Sequence, residues 1–274
     1  MTKYIEVATI RPSFALAKSY ENELTELVDF MLTEVIIAIK KEYKQTAIVA
    51  MDSINISQIL KDRIAILFKR WDDIFNSNAG IFANKFITAV DEHNARQLQN
   101  GVKKVLNYKD NKILNKLAQS IIINPNSQDK LIIQTKNSLI QEQINLITDI
   151  SQEVKTKIST AVFDNIGRNR SFKELQHELI DIKDINKTRA RLIAKNQIDY
   201  ATSVINNARA TNLGFTHSKW RHSTASKIPR QSHLHANGKI YETAKGCFID
   251  GEYIIPAEKI NCNCYSVVVI ELND

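Results

Sequence analysis

Trp220-Arg221-His222, Arg230-Gln231-Ser232-His233-Leu234-His235-Ala236-Asn237-Gly238 and Asn261-Cys262-Asn263-Cys264 decide how this chain reads. Two histidines stand one residue apart, and so do two cysteines. The stretch around them is the densest in glycine, proline and aromatic residues: four of the seven glycines and two of the four prolines fall from Gly214 onward. Strand-like pieces sit there, at Phe215 to Trp220, Lys239 to Tyr241, Tyr253 to Ile255 and Tyr265 to Ile270. Short β-branched and aromatic runs bounded by turn residues fit strands of a small sheet.

Outward from this stretch, toward the N-terminus, the pattern is helical. Ser13 to Met51 reads as one helix after Pro12, with Leu24, Leu27, Val28, Met31, Leu32, Val35, Ile36 and Ile39 on one face. A second starts at Asp52-Ser53 and carries Ile56, Ile59, Leu60, Ile64, Leu67, Phe68, Trp71, Ile74 and Phe75. Asn76-Ser77-Asn78-Ala79-Gly80 is expected to break or bend it. Ile81 to Leu98 resumes the pattern, with Gly101 as its expected C-cap. Val102 to Ile123 is helical in pattern, and Asn124-Pro125-Asn126-Ser127 reads as a turn.

Ser127 to Ile166 has Leu139, Ile140, Ile144, Ile147, Val154, Ile158 and Val162 near heptad spacing, which suggests antiparallel packing or a partner helix. After Gly167, Ser171-Phe172-Lys173-Glu174 is a capping box. It opens a short helix to Ile182; Asp184 caps another that runs to Asn212 and Gly214. The expected class is therefore α+β, a long mainly α-helical N-terminal body with a small α+β C-terminal head. The expected divisions are 1–126 (helical body), 127–214 (helical segment leading into the head) and 215–274 (β-rich head).

Hydrophobic residues make up 43% of the 274, enough for real cores, so wholesale disorder is excluded. Lys and Arg total 37 against 30 Asp and Glu. From residue 216 onward there are 7 basic and 6 acidic residues, so the remainder holds 37 − 7 = 30 and 30 − 6 = 24, a net of +6. The basic excess belongs to the helices and is diffuse, which permits contact with nucleic acid or an acidic surface without requiring it. No apolar run approaches the roughly 20 residues of a membrane span, and Met1 to Glu6 lacks a signal-peptide core. A cytoplasmic setting is expected, in which structural disulfides are disfavoured.

His233, His235, Cys262 and Cys264 together offer a zinc-type donor set. In an extended strand, i and i+2 point to one side, so each x-spaced pair can present two ligands. The spacing differs from the usual Cys-x2–4-Cys. The other reading is that the cysteines are small buried hydrophobes and the histidines hydrogen-bond loops. Cys247 lacks an evident partner. His217 and His222 read as surface or structural residues. Trp220 reads as the anchor of the head's core. Arg230 and His233 could bind phosphate or carboxylate, or Arg230 could hold a loop carbonyl. P-loop, nucleophile-elbow and His-Glu-x-x-His patterns are absent, so no catalytic set is assigned. The alternative is a metal-binding, DNA-binding or nuclease-like protein, with His233 or His235 as base and Asn261 nearby.

At these residues the chain resembles the phage head morphogenesis family, the minor head proteins similar to the Mu F protein. The family pattern is a tryptophan, a polar turn, Arg-x-x-His-x-x-x-x-Gly, a proline, and a terminal Asn-Cys-Arg-Cys. Trp220, Arg230, His233, Gly238, Pro256, Asn261, Cys262 and Cys264 match it in order. Thr188 to Lys195 is similar to the helix that precedes the family's head. Departures are Ser226 or Lys227 where the turn usually carries an acid, Asn263 for the arginine, and Gln197 near a common acidic position. The resemblance covers about residues 165–268. It implies a non-enzymatic minor capsid protein of a tailed phage, found in the virion head at the portal vertex and in the host cytoplasm during assembly. It implies portal protein as partner, with scaffold or major capsid protein and double-stranded DNA as further candidates, and no membrane.

Overall fold

A computed structural model describes residues 3–48, 53–106, 129–168, 171–224 and 228–272, and these residues form four long helices, one short helix and two small antiparallel sheets. The elements run β1 (Lys3–Thr9), α1 (Phe14–Ile48), α2 (Ser53–Leu106), α3 (Lys130–Gly167), α4 (Phe172–Asn212), β2 (His217–Arg221), α5 (Gln231–His235), β3 (Ile240–Glu242), β4 (Cys247–Ile249), β5 (Glu252–Ile254) and β6 (Tyr265–Leu272). The α+β class expected from the sequence is the class observed. The Asn124-Pro125 turn and the helical pattern beyond residue 106 lie outside the described residues. No helix among the described residues is long and apolar enough to cross a membrane.

Helix starts follow local chemistry. The Ser13 hydroxyl accepts from Leu16 N–H at 3.4 Å, and the Asp129 carboxylate accepts from Leu131 N–H at 2.9 Å. At α4 the capping box forms as written: Ser171 N–H donates to Glu174 Oε2 at 2.8 Å, and Glu174 N–H donates to Ser171 Oγ at 3.4 Å. The end of α4 is equally local. Phe215 N–H reaches back to Ala210 C=O at 2.9 Å, which requires the left-handed turn that Gly214 supplies at φ 81°.

Two expected breaks are absent. α2 passes through Asn76 to Gly80 without interruption. Ser77 Oγ and Asn78 Nδ2 donate to the carbonyls of Asp73 and Ile74, four residues back, so these side chains bond along the helix instead of ending it. Likewise α4 runs straight past Ile182 and Asp184, with Asn186 Nδ2 donating to Ile182 C=O at 2.7 Å from a buried position. Gly101 lies within α2, not at a C-cap. A Cβ there would meet the Ala8 Cβ and the Val7 carbonyl oxygen, each at 2.5 Å. Its smallness lets β1 approach the helix backbone.

The chain divides into two compact units. One comprises Met1–Ala17, Lys85–Ile140 and Lys195–Asp274; the other comprises Lys18–Asn84 and Gln141–Ala194. These do not follow the divisions expected at 126/127 and 214/215, because both the N-terminal strand and parts of the helices belong with the head.

The second unit, over its described residues, is built of helices. Buried Leu24, Val28, Met31, Val35, Trp71, Phe75, Ile147, Val154, Ile158, Leu175 and Leu179 form its apolar interior. Leu139, Ile147, Val154, Ile158 and Val162 of the heptad-like row are buried, so those positions serve the chain's own packing and not a partner. Polar ties join all four helices: Tyr20 OH donates to Gln143 Oε1 at 3.0 Å, Trp71 Nε1 to Glu34 Oε2 at 3.0 Å, and Arg189 pairs with Glu153.

The first unit holds the sheets. The four-stranded sheet has the order β1-β6-β2-β3, antiparallel throughout, and β4 pairs with β5. One core packs Val7, Ala8 and Ile10 with Leu98, Val102, Ala210, Phe215, Val268 and Ile270. A second packs Trp220, Ala236, Tyr241, Cys247, Ile249, Ile254, Cys262 and Cys264. Beside the first, Asp91 on α2 takes Arg209 of α4 at 2.6 Å and Lys136 of α3 at 3.0 Å. Asp91 and Arg209 are both buried, so each depends on the other to offset desolvation.

Candidate metal centre

The second core carries the chemistry, and three segments deliver it. β2 ends at Arg221, and His222 follows directly. Its N–H donates to Asn237 Oδ1 at 3.0 Å, which fixes the exit from the strand. α5 presents His233 edge-on to Trp220, with ring centroids 5.2 Å apart. The segment 255–264 turns on itself: Ile255 N–H donates to Glu258 Oε2 at 2.7 Å and Cys262 N–H to Lys259 C=O at 3.0 Å. It is pinned at Asn261, which takes φ 61° and donates its N–H to Asn196 Oδ1 of α4 at 3.0 Å. Asparagine tolerates that left-handed conformation better than most residues.

Cys262, Cys264 and His233 converge. Their ligand atoms all lie within 4.8 Å of one another. Cys262 Sγ is 3.3 Å and Cys264 Sγ 3.8 Å from His233 Nδ1. His222 Nδ1 lies 3.5 Å from Cys264 Sγ. All three cysteines are free thiols. His235, expected beside His233, is exposed and outside this group. The reason is the local structure: Gln231–His235 is helical, and at about 100° per residue two positions apart face nearly opposite ways. His222 touches Cys264 without belonging to the group, a contact that the sequence reading missed. Its signal was its place two residues after the core-facing Trp220, where strand alternation aims both side chains the same way.

The two thiols titrate as a pair. Cys262 ionises first, at about 5, chiefly because the Cys264 S–H donates to it; burial opposes this, and N–H groups of Cys264 and Ala257 and nearby His233 assist. Cys264 is held well above the usual thiol range by the same contact and by burial. The Trp220 indole N–H is buried without a hydrogen bond of ordinary geometry. Its effect falls on the Cys264 sulfur, together with Ser223 N–H, and both favour the thiolate.

The remaining motif residues build the frame. Arg230 donates from Nη2 to Ile260 C=O at 2.9 Å, tying α5 to the cysteine segment and leaving it engaged with a carbonyl. Gly238 holds φ 87° and donates to Trp220 C=O at 2.8 Å. Pro256 is buried beside Ala257. Asn263 faces a cleft of about 430 Å³ that is also lined by Arg11, Lys195, Asp199, His222 and Tyr265. Cys247 is buried in the same core, where desolvation pushes its thiol up. Ser226 and Lys227 lie outside the described residues. His233, Cys262 and Cys264 are 3–5% exposed. A nucleophile or catalytic ion needs access to substrate, so burial this deep suits holding a structure together.

A small sheet packed on long helices, with a buried Cys and His cluster between β2, α5 and the 255–264 segment, defines a helical chain with a small β-head. Residues 156–267 match the model of the family described as phage Mu protein F like protein. Over this part the chain is similar to that family, whose members act in phage head morphogenesis. A Haemophilus influenzae protein described as an uncharacterized protein is 25% identical over 198 residues. Those residues are 72% of this chain and 41% of that protein, so the chain spans less than half the length of its relative. No solved structure matches the chain.

Proposed function

We propose that this chain is a minor head protein of a tailed phage that acts in procapsid assembly and binds the portal. The observation that carries this reading is the Mu F-like match over 156–267, which takes in the whole buried cluster and the helix that precedes it. The diffuse excess of basic residues in the helices supports additional contact with packaged DNA, by charge alone.

The full chain, tagged and produced during phage assembly, is expected to co-purify with portal protein and procapsids. Particles that assemble normally without it, and a chain that never enters them, would overturn the proposal. The DNA contact has its own test. Binding of the purified chain to unrelated duplexes should be equal across sequences and should fall steeply between 50 and 200 mM salt, by roughly tenfold or more. Binding that is insensitive to salt would remove the electrostatic contact.

A further inference from the structure

We propose that Cys262, Cys264, His233 and His222 hold one zinc ion in a tetrahedral structural site. Two sulfurs and two imidazole nitrogens are the donor set zinc takes in closed, non-catalytic sites. Around a tetrahedral zinc, with sulfur at about 2.3 Å and nitrogen at about 2.0–2.1 Å, a sulfur and a nitrogen stand roughly 3.6 Å apart. Three of the four sulfur–nitrogen edges of such a site are seen here, at 3.3, 3.5 and 3.8 Å. Cys262, Cys264 and His233 therefore already stand close enough for three corners of a tetrahedron, and His222, in contact with Cys264 alone, would close in as the fourth.

Burial is a second observation: His233, Cys262 and Cys264 are enclosed, as the ligands of a closed structural site are. No carboxylate joins the described cluster. That excludes the oxygen-rich surroundings of calcium or magnesium.

The ion would join the end of β2, helix α5 and the 255–264 segment, three pieces that otherwise share only a thin core. Small cores of this kind gain most from a metal staple. Exposed His235 takes no part.

The test uses the full chain, purified under reducing conditions without chelator. Elemental analysis should give one zinc per chain. Replacement by Co²⁺ should give thiolate charge-transfer bands and the intense visible bands of a tetrahedral site. His222→Ala and Cys264→Ser should lose stoichiometric zinc, while His235→Ala retains it. A chelator should lower the melting temperature of the native chain. Cobalt spectra of the native chain need no variant to fold, so misfolded variants leave the proposal open to refutation. Absence of zinc together with absence of cobalt bands would overturn it. So would a Cys262–Cys264 disulfide found by mass under the same conditions, or zinc that depends on His235 and not on His222.

Discussion

Glu6 shows how single charges act on this sheet. It stands on β1 and reaches across β6 to accept from Lys219 Nζ at 2.7 Å and Arg221 Nη2 at 2.5 Å on β2. The Lys219 hydrogen bond, with the other charge contacts, holds its carboxyl below the usual range against a smaller desolvation. A carboxylate with a depressed folded pKa contributes stability above its unfolded pKa of about 4.3 and loses it as pH falls through the folded value. Its side chain is 40% exposed, so solvent screening limits the contribution to about 0–1 kcal/mol. Glu6→Gln should therefore lower the melting temperature by about 2 °C or less at pH 7. The difference should close as pH falls through the lowered folded value and shrink in high salt. Thermal melts at pH 7 and in acid check this, and an effect that grows in acid would have the wrong sign. At this scale the sequence was readable where residue type dictates chemistry. Trp220 is the core anchor, Arg230 holds a loop carbonyl, and Cys262 and Cys264 meet His233. His235 and His222 were not readable, because a five-residue helix is too short to show a period and the strand assumption aimed His235 inward.

Elements follow their neighbours as much as their own composition. Helical periodicity located all four long helices, and the caps at Ser13 and Ser171 sit where their hydroxyls could serve free N–H groups. The internal breaks expected from Asn, Ser, Gly and Asp were wrong because those residues sit in helices long enough to absorb them. Gly80 and Gly101, both within α2, separate propensity from packing. Nothing lies within 4 Å of a Cβ built at Gly80, whereas one at Gly101 would strike β1 backbone at 2.5 Å. Gly80→Ala should stabilise the chain by about 0.5–1 kcal/mol, since only the helix preference changes. Gly101→Ala gains the same preference but must displace Val7 and Ala8, and overpacking of that kind costs about 1–3 kcal/mol. Urea unfolding of the two variants should thus move in opposite directions. Parallel gains would mean that β1 does not approach α2 as described.

The molecule as a whole is organised by a pairing far apart in sequence. β1 lies at one end of the chain and β6 at the other, with Lys3 opposite Leu272 and Thr9 opposite Val267. A register shift between Glu6 and Ala8 lets consecutive Val7 and Ala8 both turn inward, where they join Leu98, Val102, Val268 and Ile270. Nothing local in Lys-Tyr-Ile-Glu-Val-Ala-Thr requires a strand; its identity comes from β6 and from the face of α2 opened by Gly101. The four-stranded sheet thus draws on Lys3–Thr9 as well as on strands from residue 217 onward. Removing residues 1–9 should strip β6 of its outer partner and leave a flat, Val-rich strand edge unpaired. The truncated chain should melt at a markedly lower temperature and self-associate, seen as a concentration-dependent rise in mass by light scattering. A synthetic peptide of residues 1–11, added in excess, should bind the open edge and restore the monomer by strand addition. A truncated chain that stays monomeric at the native melting temperature would show that β1 is dispensable. Self-association that the peptide cannot reverse would place the damage in the apolar core contributed by Val7 and Ala8, beyond the reach of edge pairing alone.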